Sequence, residues 1–365
     1  MTLYQKIYEE LSEQIRSGFY GIGDALPTEM ELVARYGVSR ITVKKSLDML
    51  VKEGIVERIA GRGSFVRARP EDKKPPEASR VRHIGLILPN LLNDFNVLLF
   101  AGMEKTCNRH TVLSCRISDG NYLNEGKLIQ EFRQNGFDGL IISPSYHKAY
   151  SNELLSLVLD NYPVVLLDTT VKAVSVSSVC TDHRRAARKG MEYLIAQGHR
   201  DIGIICANRD QLSAPSERSL GVMDACMGSD ASMGGVAWLD TVNSLDGMQG
   251  GYEQDVEKIA AFVRANPRMT VLYCFGYNLA LLAKAALERL GMRIPQDMSM
   301  LCFDRPIQCH PGKRQFTHIC QRADALCATA MELVLRMCEG DRELHRVLVD
   351  ADLVDCGTVR RLDAQ

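Results

Sequence analysis

Ser39, Arg40, Thr42 and Lys44 bring hydroxyl and cationic groups together at the start of one short segment. Such groups suit phosphate oxygens and the hydrogen-bonding edges of bases. Val43, Leu47 and Leu50 recur at helical spacing and form an inward stripe. Arg40, Ile41, Lys44, Lys45 and Asp48 then fall on the outer side. A helix of this width fits the major groove, and its N-terminus adds positive potential for a phosphate. Arg62 stands between Gly61 and Gly63, where it could reach the flanking backbone or the minor groove. The plainer alternative is a solvated charged face. Residues 1–80 hold 14 Lys and Arg against 12 Asp and Glu, a net of +2, so geometry rather than charge favours nucleic acid.

A second set of polar groups follows the apolar runs further along. They are Asn90 to Asn96, Asp119, Ser143-Pro144-Ser145, Asp168, Thr181-Asp182, Asn208, Phe275-Gly276-Tyr277-Asn278 and Asp304-Arg305. In open parallel sheets, ligands bind beyond the carboxyl ends of the strands. Carboxylates, amides, hydroxyls and a few rings suit a polyhydroxylated ligand. Any one of them taken alone is as well explained as a loop or helix-cap residue.

Three helices and a hairpin are expected to carry the first set. Tyr4, Ile7, Tyr8, Leu11 and Ile15 define a helix that Gly18 stops. Thr28 and Glu31 frame a capping box that opens a second helix, ending at Gly37. Ser39 caps the third, which runs to about Glu53 and ends at Gly54. Strands at Ile55–Ile59 and Ser64–Val66 flank Gly61-Arg62-Gly63. This is the pattern of a winged helix-turn-helix, expected over residues 1–68. Residues 69–81 fall in a charged stretch with three prolines and no apolar periodicity, and read as a linker.

From residue 82 to 365 apolar runs alternate with helical stretches. Strands are expected at His83–Leu88, Val112–Ile117, Leu140–Ile142, Val164–Leu167, Ile202–Cys206, Val271–Tyr273 and Met298–Phe303. Helices are expected at Val97–Cys107, Arg184–Gln197, Arg218–Met227, Tyr252–Asn266 and Asn278–Leu290. The fold class is therefore α/β, with parallel sheets covered by helices on both faces, and with more strands than one sheet would hold. No internal repeat stands out. Trp238, the single tryptophan, reads as a core residue more readily than as a ligand-stacking one.

At 365 residues, 46% hydrophobic and 24% charged, the chain has the composition of a globular protein of two or three units. No apolar run approaches a membrane span, and the N-terminus lacks a secretory pattern, so a cytoplasmic protein with no membrane partner is expected. Twelve cysteines without Cys-x-x-Cys, and eight histidines without zinc-ligand spacing, predict buried thiols and no metal site. No phosphate loop, nucleophile elbow, His-Glu-x-x-His or glycine-rich dinucleotide turn is present, so neither a catalytic residue nor a cofactor is expected. A sugar-processing α/β enzyme with an accessory DNA-binding domain stays open at this point, as does a solute-binding protein.

Residues 3–66 resemble the DNA-binding domain of the GntR family of bacterial regulators. The resemblance is carried by Ile15-Arg16-Ser17-Gly18, Leu26-Pro27-Thr28-Glu29, Gly37-Val38-Ser39-Arg40, Thr42-Val43-Lys44, Leu50, Glu53-Gly54 and Gly61-Arg62-Gly63-Ser64-Phe65-Val66. It implies that Glu29, Ser39, Arg40, Thr42, Lys44, Arg62 and Gly63 form the operator-binding surface. Met30 stands where that family often has an arginine. Lys44 stands where arginine is commoner, and lysine cannot make the same bidentate fork to guanine.

Residues from about 82 to 358 resemble the effector domain of LacI-family repressors, related to periplasmic sugar-binding proteins. The pieces are His83-Ile84-Gly85-Leu86-Ile87, Phe137-Asp138-Gly139-Leu140-Ile141, Pro163 to Asp168, Gly198-His199-Arg200, Arg218-Ser219-Leu220-Gly221, Ile294-Pro295 and Cys302-Phe303-Asp304. This implies two lobes with crossovers near Asp168–Ala173, Phe303–Gln308 and Gly340, and a ligand between them. Phe95, Asn96, Asp168, Arg218 and Asp304 match pocket positions, Arg218 and Asp304 as a cation–anion pair. Ser143 and Tyr277 join them as strand-end residues. Gly276-Tyr277 replaces the usual Asn-Asp, and His199 reads as structural. Together the two resemblances imply an arabinose-repressor-like architecture: a homodimer on double-stranded operator DNA, a repressor by preference with an activator as the alternative, under control of a small-molecule effector, a carbohydrate by preference.

Overall fold

The computed structural model describes residues 3–59, 61–67, 81–144, 151–169, 175–207, 213–228, 235–242, 251–307 and 316–362. Residues 69–80 of the expected linker lie outside them, as do Ser145, Ala173, Asn208 and Gln308. The chain divides into two units, Met1–Arg80 and Val81–Gln365.

The first unit holds α1 (Leu3–Arg16), α2 (Glu29–Tyr36), α3 (Arg40–Lys52), β1 (Val56–Ile59) and β2 (Gly63–Val66). Its boundaries follow from local chemistry. The Thr28 hydroxyl accepts from the Glu31 amide at 3.3 Å, and the Glu31 carboxylate accepts from the Thr28 amide at 2.7 Å. This reciprocal pair satisfies two otherwise open donors. Gly37, at φ 63°, ends α2 in the left-handed region that a side chain would resist. β1 and β2 pair antiparallel, with Val56 opposite Val66 and Ile59 opposite Gly63. The inward stripe of α3 packs with Ile7, Leu11 and Ile15 of α1 and with Leu32 of α2.

The second unit is two lobes, each a six-stranded sheet with helices on both faces. The first lobe takes β3 (Arg82–Leu88), α4 (Asp94–Thr106), β4 (Thr111–Ile117), α5 (Tyr122–Gln134), β5 (Gly139–Ile142), α6 (Asn152–Leu159), β6 (Val164–Leu167) and β7 (Ser177–Thr181). The second takes α7 (His183–Ala196), β8 (Asp201–Ala207), α8 (Ser213–Met227), β9 (Gly235–Val242), α9 (Tyr252–Ala265), β10 (Val271–Cys274), α10 (Tyr277–Arg289), β11 (Ser299–Phe303) and β12 (Thr317–Cys320). The chain then returns through α11 (Ala323–Cys338) and β13 (Arg346–Val349) to the first lobe, and ends with β14 (Asp352–Val354) in the second. The sheet orders are β13-β7-β6-β5-β3-β4 and β14-β12-β11-β10-β8-β9. All pairings are parallel except β12 with β14. The lobes thus repeat one topology, although no repeat is visible in the sequence.

The crossings between lobes differ from the expected ones. β6 and β7 share a sheet, as do β11 and β12, so the chain stays in its lobe after Asp168 and after Phe303. It crosses instead at Thr181–His183, at Gln321–Arg322 and at Asp350–Ala351, one strand later each time. α11 packs Leu326, Cys327, Ala330 and Val334 into the first lobe's core, which keeps the connection near Gly340 inside that lobe. His199 has the structural role expected of it. Its Nδ1 lies 2.8 Å from the Thr270 hydroxyl and its Nε2 3.1 Å from the Arg360 carbonyl, and burial holds its pKa down to about 4.

Candidate functional site

On the first unit, Ser39 caps α3. Its hydroxyl accepts from the Thr42 amide at 3.3 Å and lies 2.9 Å from the Thr42 hydroxyl. Arg40 is 77% exposed at its side chain, and its Nε donates to Glu29 at 2.9 Å. Glu29 also faces Arg58 of β1 at 3.6 Å, and Arg58 reaches Asp48 of α3 at 2.5 Å. Glu29 is therefore an orienting carboxylate between two arginines. It joins the first residues of α2 and α3 and ties the hairpin to both. Arg58 did not emerge from sequence reasoning; the only signal was a cation two residues into the strand, opposite an acid on the outer helix face. Lys44 and Arg62 are exposed. Lys45, placed on the outer face by spacing, stands 3.9 Å from the Tyr4 ring centroid of α1.

In the second unit the strand ends of both sheets meet. Asp168 follows β6 and Asp304 follows β11, each in the left-handed region, at φ 60° and 69°. Each donates its amide to the neighbouring strand, to Val179 and to Ile319, both at 2.9 Å. The two aspartates thus occupy the same place in the repeated topology. Gln321, at the second crossing, bridges the lobes: Asp304 accepts from its Nε2 at 2.7 Å, and the Thr181 hydroxyl, at the first crossing, donates to its Oε1 at 2.7 Å.

Arg218 of α8 is buried here. It donates to the Phe275 carbonyl at 2.6 Å and to His183 Nδ1 at 3.3 Å, with its guanidinium carbon 3.8 Å from the Phe303 ring centroid. A guanidinium only donates, so Nδ1 of His183 must be the acceptor and Nε2 carries the proton. That Nε2 lies 3.8 Å from Asp168 Oδ1, too far for a hydrogen bond, and both atoms are buried without a partner. Burial pushes the Asp168 carboxyl up to about 7, against the pull of Arg218 and with a further push from Asp304. Burial, then Arg218, hold His183 well below its ordinary value. Asp304 is raised by burial, opposed by Arg218 and by the Gln321 hydrogen bond. Asp94, at the start of α4 in the other lobe, adds to that rise, so the two lobes share one field.

Asp168, Arg218 and Asp304 are brought together, though not in the expected way. Among the described residues Arg218 and Asp304 form no ion pair; Gln321 holds the carboxylate, while His183 and a carbonyl hold the guanidinium. His183 and Gln321 were missed because both sit at crossings that sequence reasoning put elsewhere. Phe95 is buried in the first lobe's core with Leu88 and Leu99. Asn96 donates to Asn90 Oδ1 at 3.1 Å, at the end of β3. Ser143 is buried after β5, its amide bonded to Ile87. Tyr277 packs beside the second lobe's core, its ring 5.9 Å from that of Phe316. Trp238 lies edge-on to Phe275 at 6.0 Å, in core packing.

Among the described residues, Asp341, Glu343 and His345 form a group of metal-ligating types between α11 and β13. Arg336 lies 2.7 Å from Asp341 Oδ2, supplying its counter-charge. No described helix is long and apolar enough to cross a membrane.

Two family descriptions match. Residues 3–66 match bacterial regulatory proteins of the gntR family, and residues 81–305 match periplasmic binding proteins and the sugar binding domain of the LacI family. The arabinose metabolism transcriptional repressor of Halalkalibacterium halodurans is 23% identical over 349 residues, which cover 94% of this chain and 91% of that protein. The transcriptional regulator KdgR of Bacillus subtilis is 22% identical, covering 84% and 89%. A LacI family regulator from Enterococcus faecium, solved with bound ribose, superposes with a TM-score of 0.64 at 21% identity. It covers 77% of this chain and all of that one.

Proposed function

We propose, from the premise that this chain belongs to the family of periplasmic binding proteins and LacI sugar-binding domains, that it is a transcription repressor controlled by a small polyhydroxylated ligand. The observation that carries the ligand reading is the buried convergence of Asp168, His183, Arg218, Asp304 and Gln321 between two sheets. Carboxylates accept from ligand hydroxyls, the guanidinium and the His183 Nε2–H donate to ligand oxygens, and Gln321 senses both lobes through Thr181 and Asp304. Relatives named for arabinose and ribose favour a carbohydrate.

The first unit reads DNA. α3 lies in the major groove, with Arg40 at base edges and phosphates, Thr42 and Lys44 beside it, and Arg62 on the flanking backbone. Glu29 and Ser39 hold this surface in shape. The protein acts in the cytoplasm as a homodimer on a two-fold operator. Ligand control requires that the ligand bind one lobe arrangement more tightly than the other.

The test is to select a duplex from a random library with the full chain. Mobility shifts then follow against a panel of sugars, sugar phosphates and nucleosides. One compound is expected to change the shift. Salt-insensitive or absent DNA binding would overturn the regulator reading, and binding that no compound alters would overturn the ligand reading.

A further inference from the structure

Two large apolar side chains are exposed at the starts of α2 and α3, beside the Glu29–Arg40 ion pair of the first unit. Met30, the second residue of α2, is 79% exposed, and Ile41, the second residue of α3, is 81% exposed. Each follows directly on one member of the Glu29–Arg40 ion pair, whose 2.9 Å contact holds the two helix starts together. The capping box at Thr28 and the hydroxyl cap at Ser39 fix the backbone at both positions. Arg40 and Lys44 of α3, the helix that carries Ile41, and Arg62 of the hairpin turn are exposed as well.

A water-facing isoleucine is not stabilised by its own fold. The core side of α3 is filled by Val43, Leu47 and Leu50, so Ile41 contributes nothing there. Met30 likewise faces away from Leu32, the buried residue of α2. The exposed cations call for a polyanion, and the apolar tips call for a methyl group displayed within it. In the major groove only thymine presents one, at its C5.

We infer that Met30 and Ile41 read thymine methyl groups, so that this operator is specified by thymine contacts beside the Arg40 position. The inference rests on the DNA-binding reading above and deepens it. Met30 cannot supply a bidentate fork to guanine, and its unbranched, polarizable chain adapts to an apolar partner. Arg40 retains the polar contact; the apolar pair sets the bases on either side of it.

The experiment replaces each thymine of the library-selected duplex in turn by deoxyuridine, which removes the methyl and leaves pairing intact. Affinity is measured for the full wild-type chain and for Ile41→Ser and Met30→Gln. Losing one buried methyl contact is expected to weaken binding about fourfold per half-site. At one thymine or two per half-site the wild type should show this penalty. Ile41→Ser or Met30→Gln should abolish it at its own position, with the salt dependence of binding unchanged. Both side chains are solvent-facing, so circular dichroism of the variants should match the wild type. Tight, salt-dependent binding with no uridine-sensitive position sinks this inference alone. A penalty that persists in both variants does the same. Failure to select any duplex overturns the DNA-binding reading, and this one with it.

Discussion

Replacing Asp168 by asparagine should remove a pH-dependent weakness from the second unit. Burial holds this carboxyl at about 7, whereas in an unfolded chain it titrates near 3.9. Between those values the folded protein keeps a proton that the unfolded chain has released. Stability therefore falls as pH rises from about 4 to about 7, and changes no further above that. Roughly three pK units at 1.36 kcal/mol each give about 4 kcal/mol by pH 7. The side chain is only 14% exposed, so solvent screening removes little of it. Asparagine has the same shape and no charge to bury. His183 works in the opposite sense. Its depressed value means that stability is present above about pH 6.5 and lost as pH falls below it, but it is common to both proteins and drops out of the comparison. Unfolding by heat at pH 4.5, 5.5, 6.5 and 7.5 would measure the difference. Asp168→Asn should gain on the wild type with each step, reaching about 8 °C in Tm near neutrality at roughly 2 °C per kcal/mol. A difference that stays constant with pH would mean that Asp168 is ionised throughout in the folded protein, and the burial argument would be wrong.

Arg40→Ala should weaken operator binding about tenfold or more per half-site in a mobility-shift assay, since a good base contact is worth about 1–3 kcal/mol; unchanged affinity would remove Arg40 from the reading surface. Asp304→Ala should abolish the response to the effector while sparing DNA binding, and a retained response would exclude it from the pocket. Gly221→Ala should lower stability by about 2 kcal/mol or more, because a Cβ there would run into the Arg184 carbonyl where α8 crosses α7. Gly251→Ala, which would meet nothing within 4 Å, is its control and should leave Tm nearly unchanged.

The first unit was legible in the sequence because its signals are local. Capping at Thr28 and Ser39, glycine stops at Gly37 and Gly54, and the α3 stripe are each decided within a few residues. The parallel sheets were legible because buried strands read as short apolar runs. What escaped were β7, β9, β12, β13 and β14: β7 opens on Ser177 and Ser178, and β13 and β14 are half-exposed at the sheet edges. Without β7 and β12, the crossings were placed one strand too early. His183 and Gln321 went unnoticed with them, since nothing marks a single histidine or glutamine until the second lobe is folded against it. Arg218 was found, but its partners were not, because they come from residues 35 and 57 positions away.

The twin placement of Asp168 and Asp304 has a consequence for how a guest molecule is oriented. A cleft built from two equivalent halves would greet a near-symmetric sugar equally well either way round. Here the equivalence is broken by what stands beside each acid. Asp168 lies 3.8 Å from the imidazole Nε2 of His183, and Asp304 accepts from the Gln321 side-chain amide at 2.7 Å. On the proposed ligand reading, a molecule seated between them would meet two differently engaged acids and would be held one way round.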